Sequence, residues 1–234
     1  MPDYALISVL CGGAAGVVLH MLSQWWCAGW RTDPPAFCSK QFRVNIATSK
    51  LQLCLSIIFT ISIFGLSLYH FGYSLAGWTA ILFGFFLVVM TFVDLEHFIL
   101  PDRLTKPLIA LGLGQGALGI HTDLQAAAIG AVAGYGSLWL VNTLFRIIRK
   151  KHGMGGGDFK LFAAIGAWQG WEALPVVIII AAVSGIVFAI IRAIILRDNL
   201  ANPFPFGPTL AMGGFIGLFY GHEILHWYVS LLTV

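Results

Sequence analysis

Apolar residues in this chain run in long continuous stretches, with polar residues collected between them. The alternation of every second residue that marks a strand or a barrel wall is missing. A helix that crosses a bilayer needs about 20 mainly apolar residues. Stretches that reach or approach this length fall at roughly 4–24, 51–71, 74–93, 104–120, 124–146, 159–172, 174–196 and 207–230. The pattern predicts an all-α polytopic membrane protein of about eight transmembrane helices. The stretches at 104–120 and 159–172 are short and carry glycine, which predicts helices that tilt or are shielded by their neighbours. Residues 4–24 follow Met1-Pro2-Asp3-Tyr4, which has no basic region, so they read as a first span and not as a cleavable signal. The organisation expected is residues 1–50, a first transmembrane helix and a cytoplasmic loop, followed by a membrane-embedded core over 51–234.

Composition agrees. The chain of 234 residues is 59% hydrophobic and 10% charged, whereas soluble domains carry about 25% charge. The charges also set a sidedness. If the loop at 25–50 faces the cytoplasm, eight alternating spans put Arg31, Lys40, Arg43, Lys50, Arg103, Lys106, Arg146, Arg149, Lys150, Lys151, Lys160, Arg192 and Arg197 all on that side. These are all 13 of the basic residues, and they predict both termini outside, on the periplasmic face. The net charge of +3 then reflects topology and implies no nucleic-acid partner. Lipid is the expected surrounding. Cys11, Cys27, Cys38 and Cys54 form no Cys-x-x-Cys pair, so neither a zinc cage nor a disulfide framework is legible, and they read as small apolar residues in or near spans.

The same topology sorts the acids. Asp94, Glu96 and Asp102, in "DLEHFILPDRLT", fall at the cytoplasmic ends of the third and fourth spans, and Asp158, in "MGGGDFKL", falls at the cytoplasmic start of the sixth. Asp94 and Asp158 are therefore expected at one membrane depth on different helices. A carboxylate near hydrocarbon is costly and usually has a task. Two that meet share a proton, and such a pair can activate water with one member while polarising a peptide carbonyl with the other. Glycines beside Asp158 would let a substrate backbone approach, and Pro101 with Asp102 would break the helix and leave a wettable hollow at the membrane edge. There are plainer readings. Asp158 reads equally as the N-cap of a helix starting at Phe159, with Gly155–Gly157 a pliable connector, and Asp102 as the N-cap of the following helix. Glu96 and His97 read as solvated loop residues, and Lys160 as a lysine reaching from the membrane edge to water.

At these residues the chain resembles the prepilin peptidases, or type IV leader peptidases, membrane aspartic proteases of the Gly-x-Gly-Asp type. "DLEHFILPDRLT" at 94–105 resembles the first aspartate block of the family, and "GMGGGDFKLFAAIGAWQGW" at 153–171 resembles the second. "GAVAGYGSLWLV" at 130–141 and "PFGPTLAMGG" at 205–214 are also similar to family segments. The resemblance implies a multi-pass protein of the bacterial inner membrane that cuts the short basic leader from type IV prepilins or type II secretion pseudopilins. It maps the catalytic pair onto Asp94, as base, and Asp158, as its partner. Gly155 and Gly157 would shape the site, and Lys160 would orient a carboxylate of substrate or enzyme. No cofactor is implied for hydrolysis. Longer members carry a cytoplasmic domain with two Cys-x-x-Cys pairs that bind zinc, and also methylate the new N-terminus using S-adenosylmethionine. The loop at 25–50, with only Cys27 and Cys38, is much reduced, so zinc is not expected, and S-adenosylmethionine is implied only if methylation is retained.

Two rivals stand beside this reading. His222-Glu223-x-x-His226 matches the zinc-protease signature, two histidines one helical turn apart with an acid beside them. Only Glu172, His121 and His70 would be available on that side as a third ligand. His222 lies 15 residues past Gly207, about 22 Å along a helix, so this motif is expected a membrane's width from Asp94 and Asp158. Trp227 and Tyr228 beside it read as an interfacial aromatic belt. A proton-coupled transporter is the other rival, since intramembrane acids serve proton relays. No inverted repeat supports it, and His20, mid-span, reads as packing.

Overall fold

The computed structural model describes residues 12, 15, 16, 46–150, 153–195 and 204–232. Among these the chain is entirely helical: α1 (Ile46–Phe71), α2 (Leu75–His97), α3 (Asp102–Ala117), α4 (Leu124–Arg149), α5 (Gly156–Gln169), α6 (Leu174–Ile195) and α7 (Gly207–Leu232). Four of them, α1, α2, α4 and α6, are long and apolar enough to cross a membrane. The helices coincide with seven of the predicted stretches. The first stretch, 4–24, lies outside the described residues apart from 12, 15 and 16, which are helical. The chain divides into two compact units, with the boundary in sequence between Phe98 and Ile99.

In the first unit α1 and α2 pack as an antiparallel hairpin. Gly72 takes a positive φ of 62° at the turn. Ser74 then caps α2, its hydroxyl accepting the Gly77 N–H at 3.2 Å and donating to the Phe71 carbonyl at 2.7 Å. α2 ends on Phe98, whose left-handed backbone (φ 55°) lets its N–H donate to the Asp94 carbonyl. Most non-glycine residues avoid that conformation, which is why the helix end, past the predicted limit at 93, was not visible beforehand. Gly16 lies against the α1 backbone, its absent Cβ falling 2.7 Å from the Ile57 Cα, and Ser56 Oγ donates to the Gly16 carbonyl at 3.2 Å.

In the second unit α5 is the hub, packed by α3, α4, α6 and α7. From Asp158 to Trp168 every residue of α5 but Lys160 is buried. A helix apolar on all sides must be sheathed by protein or lipid, and at 14 residues, about 21 Å, α5 is too short to meet lipid along a full crossing. Its neighbours supply the sheath. Gly130 and Gly134 of α4 let the backbones touch: a Cβ on Gly130 would run into the Gly166 carbonyl, and one on Gly134 would stand 2.6 Å from the Phe162 oxygen. Close backbone approach through small residues is the usual way helices associate where hydrophobic burial gives no advantage over lipid. On the α3 side, Trp168 Nε1 donates to the Leu108 carbonyl at 2.8 Å, and Gln115 Nε2 to the Trp168 carbonyl at 3.1 Å. Gln115 Oε1 accepts the His121 N–H at 3.0 Å, so one amide ties α3, α5 and the α3–α4 turn. The predicted shielding of the short sixth stretch is thus observed.

Both predicted caps are corrected. α5 begins at Gly156 with Gly155 as its N-cap, and α3 begins at Asp102 with Pro101 as its N-cap. Gly156 and Gly157 are therefore helical and not a connector, while Asp158 and Asp102 sit inside first turns. In each case a residue with a fitting extended conformation precedes the acid, Gly155 at ψ 147° and Pro101 at ψ 137°. His97 is likewise the last residue of α2 and not part of a loop.

Candidate active site

Asp94 and Asp158 are both buried, with 4% and 8% of their surface exposed. Such values are rare for carboxylates unless they are partnered or functional. Asp94 lies in the last turn of α2, in the first unit. Asp158 is the third residue of α5, in the second unit, where the unpaired N–H groups of a helix start carry positive partial charge.

Around Asp158 the second unit builds a defined corner from the residues singled out in the sequence. Lys160 bonds to Asp102 Oδ1, and Lys106, one turn along α3, pairs with Asp102 Oδ2 at 3.1 Å. Lys160 does not simply reach for water; it fastens α5 to the start of α3. The Lys160 hydrogen bond and, after it, that of Lys106 hold the Asp102 carboxyl below its usual pKa. Gly157 lies against the same turn, its absent Cβ falling 2.7 Å from Leu100 Cβ and 3.2 Å from the Leu100 carbonyl oxygen. That clearance is taken up by the protein's own chain. Pro101 is buried between Leu100 and Asp102. Gly155 and Gly156 are open: a Cβ on Gly155 would meet only Asp158 Oδ2, at 3.5 Å, and one on Gly156 would meet nothing within 4 Å. Asp102, Lys160, Gly157 and Pro101 are thus gathered at one corner, with Gly155 beside Asp158.

One participant escaped the sequence reading. Asn142, on α4, accepts the N–H groups of Gly153 and Met154 on its Oδ1, at 3.2 and 3.1 Å. The signal was an amide, next to Thr143, within the mainly apolar run from Trp139 to Phe145, since a polar side chain in a span needs a partner.

The His222–His226 motif lies on α7. Glu223 and His226 are exposed, and the side chain of His222 lies outside the described residues. Among the described residues no three His, Cys, Asp or Glu side chains are grouped to hold a metal ion. Cys54 is a free, exposed thiol, and the other three cysteines lie outside the described residues.

The fold is that of a helical membrane protein, with one buried acid in the last turn of an apolar helix and another in the first turn of a second. Comparison with known proteins makes the class specific. Residues 81–190, which take in both aspartate blocks, match the type IV leader peptidase family. It is similar to the prepilin leader peptidase/N-methyltransferase of Aeromonas salmonicida, 44% identical over 159 residues, which are 67% of this chain and 55% of the relative. The proteins of the same name from Pseudomonas aeruginosa and Legionella pneumophila are 40% and 38% identical, over 69% and 70% of this chain and 56% and 58% of their own length. The chain thus spans little more than half the length of these curated relatives. No solved structure matches it.

Proposed function

We propose that this protein is a membrane aspartic endopeptidase that removes the short basic leader from type IV prepilins or type II secretion pseudopilins. Asp94 and Asp158 act as a catalytic pair that shares one proton. The ionised member draws a proton from water as the water oxygen attacks, and the protonated member gives its proton to the peptide carbonyl oxygen. The first acid then passes its proton to the peptide nitrogen, the second takes one back from a hydroxyl of the tetrahedral intermediate, and the C–N bond breaks to release the amine of the mature chain. The positive end of α5 favours the negative charge on Asp158, and the labels of base and acid belong to the pair and not to either residue. Asp102, Lys160, Pro101, Gly155 and Gly157 shape the surroundings of Asp158.

The observation that carries this reading is the family match over 81–190, which takes in both acids, each buried at a helix end. The site acts at the cytoplasmic face of the bacterial inner membrane. Eight spans with both termini outside keep every basic residue on that face. The apolar N-terminal helix of the substrate lodges among the spans while its leader stays in the cytoplasm. Hydrolysis by an acid pair takes no cofactor. The relatives' name also carries methyl transfer, for which S-adenosylmethionine would be the methyl donor.

Co-expression with a prepilin tests the proposal. The wild type converts precursor to a faster-migrating product, chelators leave cleavage intact, and mass spectrometry of the new N-terminus reads whether a methyl group is added. A zinc protease would be silenced by the chelator. A transporter would leave the prepilin uncut and couple proton flux to a solute.

A further inference from the structure

We infer that Asn142 is a positioning residue for the Asp158 turn, acting through its side-chain oxygen. This rests on the proposed peptidase reading, in which Asp158 is one of the acid pair. α4 ends at Arg149, with Lys150 in a left-handed cap (φ 54°) whose N–H donates to the Arg146 carbonyl at 2.9 Å. Asn142 stands seven residues before that end, about 10 Å back along the helix. The chain leaving α4 therefore doubles back, and by residues 153 and 154 it lies on the flank of α4, two turns inside the end. One side-chain atom meets both residues there. Asn142 Oδ1 accepts two successive backbone N–H groups, those of Gly153 and Met154. Phe145, one turn further along the same helix, closes the other side. A Cβ on residue 153 would fall 2.8 Å from the Phe145 ring, so glycine is needed for the chain to lie so close.

From this anchor it is a short step to the acid. Gly155 follows as N-cap and accepts the Asp158 N–H on its carbonyl at 3.3 Å, and Asp158 Oδ2 leans back over Gly155. Past the acid, α5 is fastened by the Lys160–Asp102 pair and by Gly157 against Leu100. The segment carrying Asp158 is thus held on both sides, downstream by α3 and upstream by the hydrogen bonds of Asn142, with the Phe145 ring beside them. Gly155 and Gly156 between the two fastenings have no steric restraint of their own, so without the upstream tie the entry to the turn is free to swing. A misplacement of about 1 Å at a catalytic group can cost about 100-fold in rate.

The chemistry required is an acceptor oxygen, which makes the test sharp. Asn142→Leu keeps the shape and removes the acceptor, while Asn142→Asp keeps the shape and the acceptor. Each full-length variant is purified in detergent and assayed on a prepilin substrate, with wild type and Asp158→Asn alongside. Asn142→Leu is expected to lower kcat by about 10-fold or more with KM little changed, and Asn142→Asp to recover most of that loss. The two variants should melt within a few degrees of each other, since the tie secures a loop and not the bundle. Equal kcat for Asn142→Leu and wild type would overturn the inference, as would Asn142→Asp failing as badly as Asn142→Leu while both remain folded. Failure of the wild type to cut prepilin at all would instead remove the peptidase reading on which it stands.

Discussion

Asp102 answers two lysines at once, and its consequences can be worked out in sign. Lys160 and Lys106 hold its carboxyl below the ordinary value, so the folded protein binds fewer protons there than the unfolded chain. The linked stability is complete above the unfolded pKa, about 3.9, and is lost only as pH falls through the lowered native value. The difference in thermal stability between wild type and Asp102→Asn should therefore be flat from neutral pH to about 5 and vanish only below about 3.9. A difference that grows towards low pH would contradict the pairing. The types of these residues were legible in the sequence, but their partners were not. Lys160 was expected to orient a carboxylate, yet only packing chose Asp102 of the protein itself. Gly157 was read as room for a substrate, and that room is filled by Leu100. Asn142 is not legible as a site residue, because an amide in a mainly apolar run announces a partner without saying which.

At the scale of the helix, the meeting of α4 and α5 depends on the absence of side chains, and this can be tested with one methyl group. A Cβ on Gly134 would stand 2.6 Å from the Phe162 carbonyl oxygen, whereas one on Gly136, two residues along the same helix, meets nothing within 4 Å. Gly134→Ala should cost roughly 1–3 kcal/mol, read as a lower unfolding temperature in detergent. Gly136→Ala should be neutral or slightly stabilising, because alanine is the better helix former. Equal effects would mean that the two backbones are not in contact. Helix positions were readable because apolar stretches broken by glycine, proline and charge set their limits within a few residues. Their ends were harder to read. Phe98 in a left-handed cap defeats the usual residue preferences, and Gly155 as N-cap is hidden among three successive glycines with an acid, an equally good cap, just beyond them. Both bear on an acid, since Phe98 closes the helix that carries Asp94 and Gly155 opens the one that carries Asp158.

For the molecule as a whole, the proposed topology gathers the basic ends of the spans at the face where a basic leader would be cut. Single cysteines placed in a background with Cys11, Cys27, Cys38 and Cys54 all changed to serine should report it. One at Lys106 or Lys150 should react with a membrane-impermeant thiol reagent only after the inner membrane is opened, and one at Thr122 or Glu172 should react in intact spheroplasts; the reverse pattern would invert the topology. The catalytic claim is tested most directly by prepilin processing in cells that produce wild type, Asp94→Asn or Asp158→Asn at matched membrane levels. Each change removes one titratable group while keeping its shape, so both variants should insert normally and leave the leader uncut, with activity down by at least about 1,000-fold. Complete processing by either variant, at a membrane level equal to wild type, would contradict an acid pair as the engine of this protein.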